Sequence, residues 1–347
     1  MKKLAILLFV LIFLAACRTQ TPPEAPPIDD NGELEKTIED FYPFLANTYF
    51  TYEGIGMEFA ERETYFDFIG NERAQIRTHT TGTTVVQILE YREGALELVL
   101  SREEAYYLAD YTDANITEER EILLMEPIQV GTNWTLPDGR TREITGMNVA
   151  IETPSGNYEA LEVTTEGSEN TQTKTYYVEG IGMVLSVFET EDHEVVTALA
   201  TIEKETDTTY LLRCYYPDFE SEQVIYRDFD IFFHTNDEIE PIYTEYLQRS
   251  HSEFISPVLS ENVTLQSFSY NAEEELVIVD LSSNFVNEMN LGAGYESLVI
   301  QSIVNTVGFN FGVEKVVLTL DGALYESGHL QLQEGDYFEV NYGNEAL

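Results

Sequence analysis

The chain has 347 residues, with 63 Asp and Glu against 18 Lys and Arg, a formal net charge of −45. A surface of that sign repels nucleic-acid phosphates, anionic headgroups and wall phosphates, which excludes nucleic acid as a partner. The acids are spread through aromatic, strand-like sequence and not gathered in a tail, so the charge fits a salty or alkaline exterior or a specific cationic partner.

The N-terminus reads as an export signal. Lys2 and Lys3 precede an apolar run from Leu4 to Leu14, and Leu14-Ala15-Ala16-Cys17 follows. The run is shorter than the roughly 20 residues a membrane-spanning helix needs. Leu-Ala-Ala-Cys resembles the bacterial lipobox, which implies cleavage after Ala16 and a diacylglycerol, with palmitate-type chains, on the Cys17 sulfur. The alternative is an ordinary signal peptide with an incidental cysteine. On the first reading residues 1–16 are a lipoprotein signal peptide and the protein is anchored to the outer face of the cytoplasmic membrane of a Gram-positive-type host. Only Cys214 then remains as a thiol, so no internal disulfide is available and the core must hold the fold. Cys214 lies in the apolar run "YLLRCYYPD" and reads as a small buried hydrophobe. Residues 17–38, rich in proline and acids and without an aromatic residue, read as a solvated tether.

About 300 residues follow, enough for two domains. A weak helical segment falls near Glu33 to Asp40. From there to residue 206 the chain alternates short runs rich in Val, Ile, Thr and Tyr, such as "TTVVQILEY", "ALELVLS", "REITGMNVAIET" and "NYEALEVTTE". Turn residues separate them at Pro137-Asp138-Gly139 and Pro154-Ser155-Gly156. The pattern predicts an all-β antiparallel domain over 39–206, a curled sheet forming a sandwich or partial barrel. Glu-Gly-Ile-Gly-Met occurs at Glu53–Met57 and again at Glu179–Met183. A second internal similarity has a different offset, so these are reused pieces and not a duplicated domain. Gly54, Gly56, Gly180 and Gly182 read as strand-bend glycines, since strand-like sequence and no helix follows Met183. This stretch also resembles β-rich domains of Gram-positive surface lipoproteins, a structural likeness that brings no activity with it.

The pattern changes near Thr209, after the polar "EKETDTTY" (203–210), which predicts two independently folding domains. "YLLRCYY" and "VIYRDFDIFF" read as strands and residues 238–254 as a helix. A strand pair follows, "VTLQSFSY" and "ELVIVDLS". Next come a helix over "YESLVIQSIVNTVGFNF" with one mostly apolar face, and the strand "VEKVVLTLDG". Residues 207–347 are therefore expected to form a two-layer α+β domain. Within them "VIVDLSSNFVNEMNLGAGYESLVIQSIVNTVGFNFGVEKVVLTLDG" resembles the GerM domain of spore-forming and related bacteria, and the likeness extends over about residues 210–345. The matching positions are Asp280, Leu281, Ser282, Asn305, Thr306, Asp321 and Gly322. The Gly-Pro pair common after the family's first helix is absent here.

The resemblance implies a membrane-tethered extracytoplasmic module related to sporulation or germination, structural or interacting and not enzymatic. Its partners would be other envelope proteins or a second copy, besides the membrane itself through the lipid. Asn305 and Thr306 then brace local backbone, and Asp321-Gly322 forms a turn. The five histidines show no ligand spacing, and "DFDIFFHTNDE" around His234 lacks the glycine and oxygen-ligand periodicity of a calcium loop. No metal, cofactor or catalytic residue is expected. A second reading is a surface protein that binds a ligand on the concave face of the β domain, and a third is an envelope hydrolase, which would need a cleft with convergent polar groups and perturbed acids.

Overall fold

The computed structural model describes residues 35–115, 120–168, 171–250, 255–289 and 291–344. The signal-peptide segment and Cys17 lie outside them. Residues Thr37–Leu347 form one compact unit.

Twelve strands make one antiparallel sheet: Thr48–Ile55 (β1), Arg62–Ile69 (β2), Arg73–Thr80 (β3), Thr84–Arg92 (β4), Ala95–Arg102 (β5), Glu121–Met125 (β6), Asn133–Thr135 (β7), Thr141–Thr153 (β8), Gly156–Glu166 (β9), Gln172–Val178 (β10), Gly182–Glu189 (β11) and Glu194–Lys204 (β12). β1 to β6 step outward as a meander. The chain then crosses to β7 and steps back to β12, which pairs with β1 from Thr48↔Lys204 to Ile55↔Val196. Tight turns set this meander: Glu93 and Gly94 both have positive φ (51° and 74°), the two-residue hairpin geometry that matches strand twist.

β6 and β7 are the edges, and side chains bridge them. Trp134 Nε1 and Arg142 Nη1 donate to the Ile122 carbonyl at 3.0 and 2.6 Å, and Arg142 pairs with Glu121 at 2.8 Å. The Ile122 carbonyl is thereby satisfied and the exposed edge is blunted. The sheet is nearly closed, as the sequence pattern predicts. Its interior is filled by Phe66, Ile76, Leu89, Leu96, Leu124, Ile144 and Leu161, joined by Ile38 and Phe41 of a short helix, Ile38–Phe41 (α1). α1 begins later than the sequence suggested; its Asp40 carboxylate accepts the Thr37 N–H at 2.8 Å.

The second part is α+β. Thr208–Asp218 (β13) and Gln223–Phe233 (β14) form a hairpin, and Ile239–Leu247 (α2) follows. α2 ends well before the expected residue 254. The Gln248 amide donates to the Ser260 and Val263 carbonyls at 3.1 and 2.9 Å, and Val258 N–H bonds back to Leu247, so the chain turns there instead. Leu265–Asn271 (β15), Leu276–Leu281 (β16) and Lys315–Leu320 (β17) build a sheet in which β16 and β17 run parallel, joined through Phe285–Met289 (α3) and Ala293–Phe311 (α4). Ala323–Leu324 (β18) and Phe338–Glu339 (β19) share the other edge of β17.

α4 lies between this sheet and the hairpin. From Val299 onward it is buried nearly all round, where the sequence predicted one mostly apolar face. Val299, Ile303, Val307 and Phe311 join the apolar core, while Ser302, Asn305, Thr306 and Asn310 are also buried. Polar residues can be buried there because each finds a backbone partner.

One core cluster spans both parts. Phe68, Val86, Ile88 and Val99 of the large sheet, and Leu108, Ala109, Tyr111 and Ala114 of the β5–β6 connection, pack with Tyr210, Phe233, Tyr243, Phe268 and Phe311.

Candidate functional site

The family-motif side chains act as braces. The Asp280 carboxylate on β16 accepts Thr319 Oγ1 at 2.6 Å and the Gly322 N–H at 2.8 Å, fixing the end of β17. Asp321 and Gly322, with φ of 48° and 81°, are the two-residue turn from β17 to β18, and Asp321 accepts Gln266 Nε2 at 2.8 Å. Leu281 is fully buried. Ser282 and Thr264 exchange two hydrogen bonds of 3.0 Å. Asn305 grips the Asn341 backbone at both its N–H (2.9 Å) and its carbonyl (3.0 Å). Thr306 Oγ1 donates to Ser302 and accepts the Tyr215 N–H at 2.8 Å.

Asn310 escaped the sequence reading. Its amide accepts the Arg213 N–H at 3.0 Å and donates to the Arg213 carbonyl at 2.7 Å. Thr306 and Asn310 thus occupy the edge of β13 that β14 leaves open. Their spacing of four, one helical turn, was the only signal available.

A buried polar network joins the two parts. Arg77 and Asp67, both inaccessible to solvent, pair with Arg77 Nε 3.0 Å from Asp67 Oδ2. Nη2 stands 2.9 Å from the same oxygen as an ion-pair contact without a hydrogen bond of its own. Gln75 donates to Asp67 at 2.7 Å, and the Tyr210 hydroxyl of β13 donates to its other oxygen. The Arg77 guanidinium carbon also lies 4.4 Å from the Tyr210 ring centroid. Burial and the Asp67 charge push the Tyr210 hydroxyl well above its ordinary range. Burial works against the Arg77 charge, but Asp67 outweighs it and holds the guanidinium above its usual value.

Two surface depressions combine charged and apolar lining. The first, of about 810 Å³, lies where the parts meet and is lined by Glu72, Arg73, Asp110, Asp113, Asp237 and Glu240 among others. Burial pushes the Asp110 carboxyl up to about 6, helped by Asp113 and Glu240 and opposed by hydrogen bonds from Thr112. The second, of about 700 Å³, lies on the open face of the second sheet. Among the described residues no group of three or more His, Cys, Asp or Glu side chains is arranged to hold a metal ion.

The remaining positions singled out in the sequence lie apart from these. Gly54 and Gly56 end β1 where the chain doubles back: a Cβ on Gly54 would meet the Glu61 nitrogen at 2.1 Å, and one on Gly56 the Glu194 carbonyl at 2.1 Å. Gly180 and Gly182 form the β10–β11 turn with φ of 75° and 104°. The two copies therefore bend the chain for different reasons. Cys214 is buried and its thiol is pushed far up by that burial. His234 opens a turn in which its N–H bonds to Asp237 at 2.7 Å.

Residues 213–326 match the model of the Germane family, described as sporulation and spore germination, and all seven motif positions fall inside the match. No curated protein matches the chain. Among solved structures it is similar to a Bacteroides fragilis protein described as exported and having a YmcC-like fold, at 12% identity over 47% of this chain and 99% of that one, TM-score 0.32. A Parabacteroides distasonis protein described as a lipoprotein gives 10%, 47%, 99% and 0.30 on the same measures. The tandem GerMN domains of the Bacillus subtilis sporulation protein GerM give 16%, 38%, 46% and 0.28.

Proposed function

We propose that the protein is a sporulation-related extracytoplasmic scaffold, anchored through Cys17, whose Germane domain works by surface contact with another envelope protein or a second copy. One observation carries the reading. Within 213–326 the motif side chains of Asp280, Ser282, Asn305 and Thr306 brace backbone and that of Asp321 holds the Gln266 amide, so they leave recognition to the surface they support. The lipobox-like Leu14–Cys17 supports anchoring, since each buried CH₂ of a lipid chain contributes about 0.8 kcal/mol. A ligand held inside the nearly closed sheet is not favoured, because Phe66, Leu89, Leu96, Ile144 and Leu161 already occupy that interior.

Site-specific crosslinking from the second part in intact cells tests this reading. The expected result is a discrete adduct with one envelope protein or with a second copy, lost when Cys17→Ser releases the chain from the membrane. A membrane-retained chain that yields no adduct overturns it.

A further inference from the structure

One face of the second sheet packs on α4 and the other is open. On the open face Ile278, Leu324 and Tyr337 are 37%, 38% and 42% exposed. Parallel register sets Ile278 beside Val317, and Leu324 pairs with Thr319 on the far side of β17, so these side chains form a continuous apolar floor. The walls are two turns. Glu273, Glu274 and Glu275 stand on the β15–β16 turn, where Asn271 Oδ1 accepts the N–H groups of Glu273 and Glu274 at 3.0 and 3.1 Å. Glu334 and Asp336 stand on the turn before β19, where Asp336 accepts the Gln333 N–H at 2.8 Å. Among the described residues Lys315 is the one cation lining the groove, and it is engaged: its Nζ lies 3.3 Å from the Glu274 carbonyl and 5.5 Å from the Tyr337 ring centroid.

We infer that this groove docks a basic amphipathic segment of a partner protein, its apolar stripe on Ile278, Val317, Leu324 and Tyr337 and its lysines or arginines against the two acidic walls. The inference rests on the scaffold reading above and names the surface that serves it. Charge complementarity selects this occupant. A second copy would bring five carboxylates against five more on a chain of net charge −45. Anionic headgroups meet the same repulsion. An acidic or neutral peptide could use the floor but would leave the walls unpaired.

The test uses the full-length chain in detergent and a synthetic peptide with leucines on one face and lysines on the other, followed by fluorescence anisotropy across salt concentrations. Ile278→Asp with Leu324→Asp should weaken binding about tenfold or more, as loss of central anchors does. Replacing Glu273, Glu274 and Glu275 by Gln should weaken it less and flatten its salt dependence. Phe188→Asp, an exposed position on β11 of the large sheet, should leave binding and melting temperature unchanged. Equal binding by the floor variant and the Phe188 variant would mean diffuse attraction to the acidic surface and would overturn the proposal. So would a wild-type dimer that sediments as a monomer after Ile278→Asp, which would identify the occupant as a second copy. In cells, an adduct that persists in the floor variant sinks this groove and leaves the scaffold reading standing; absence of any adduct from the wild-type chain sinks the scaffold reading itself.

Discussion

Asp110 sits on the β5–β6 connection with Asp113 nearby and Glu240 approaching from α2. Its carboxyl accepts the Thr112 N–H at 2.8 Å and Oγ1 at 2.6 Å, yet burial outweighs those bonds and lifts its pKa from 3.8 to about 6. A carboxyl whose folded pKa exceeds its unfolded value binds protons more readily in the native state. Its favourable contribution is complete below about pH 4 and is lost as pH rises through about 6, opposite to the usual salt-bridged carboxylate. Asp110→Asn keeps an acceptor for Thr112 and removes the ionisation. At pH 7 the variant should be more stable than wild type by up to about 3 kcal/mol, since one pKa unit is about 1.4 kcal/mol. The gap should close by about pH 4. Urea unfolding at a series of pH values measures it, and a gap that does not change with pH would show that Asp110 ionises as an ordinary surface carboxylate. The neighbouring pair behaves differently. Asp67 and Arg77 are wholly buried, so removing either would leave an uncompensated charge.

At the scale of the element, α4 shows how close packing limits a helix. A Cβ on Gly308 would lie 2.2 Å from Val340 Cγ1 and 2.9 Å from the Val313 carbonyl oxygen, whereas one on Gly294 would meet nothing within 4 Å. Gly→Ala in a helix gains up to about 1 kcal/mol in propensity, while overpacking costs about 1–3 kcal/mol. Gly294→Ala should therefore stabilise by a few tenths to about 1 kcal/mol, and Gly308→Ala should destabilise by about 1–2 kcal/mol. Thermal unfolding of the two variants side by side reads the difference, and equal shifts would mean Val340 moves aside freely. Much of this element was legible in sequence. The strand–helix–strand run from Val277 to Gly322 and the Asp321-Gly322 turn depend on local pattern and turn chemistry, which single residues report. The burial of the helix on both sides was not legible, because an apolar stripe says nothing about what covers the opposite face. Asn310 reads as an ordinary polar position until β13 is seen against it. The same limit hid the Tyr210–Asp67 bond, whose partners are 143 residues apart.

For the whole molecule, the polar stretch between β12 and β13 suggested two parts that fold alone, and the core points the other way. The β5–β6 connection crosses onto the second part: Leu108 N–H donates to the Leu211 carbonyl at 2.9 Å, Tyr243 donates to the Leu108 carbonyl at 2.6 Å, and the Tyr111 hydroxyl donates to the Phe311 carbonyl at 3.0 Å. Arg102 reaches both Tyr270 and the Gly312 carbonyl, and Asn47 and Thr235 exchange bonds of 2.8 and 2.9 Å. A fragment of residues 207–347 would keep its own sheet and α4 but uncover Tyr210, Phe233, Tyr243, Phe268 and Phe311, each buried in the whole chain. Fully burying one such side chain contributes about 1.5–3 kcal/mol, and native domains are stable by only about 5–15 kcal/mol. Losing several together exceeds what the fragment can keep. Residues 207–347 alone should therefore show no cooperative melt, or one far below the full chain, and should bind a hydrophobic dye. Adding residues 37–206 in trans should restore part of the transition, since that piece supplies Leu108, Tyr111 and the Asp67 partner of Tyr210. A fragment that melts cooperatively at the temperature of the whole chain would show that the shared core is dispensable and that the linker marks a true folding boundary.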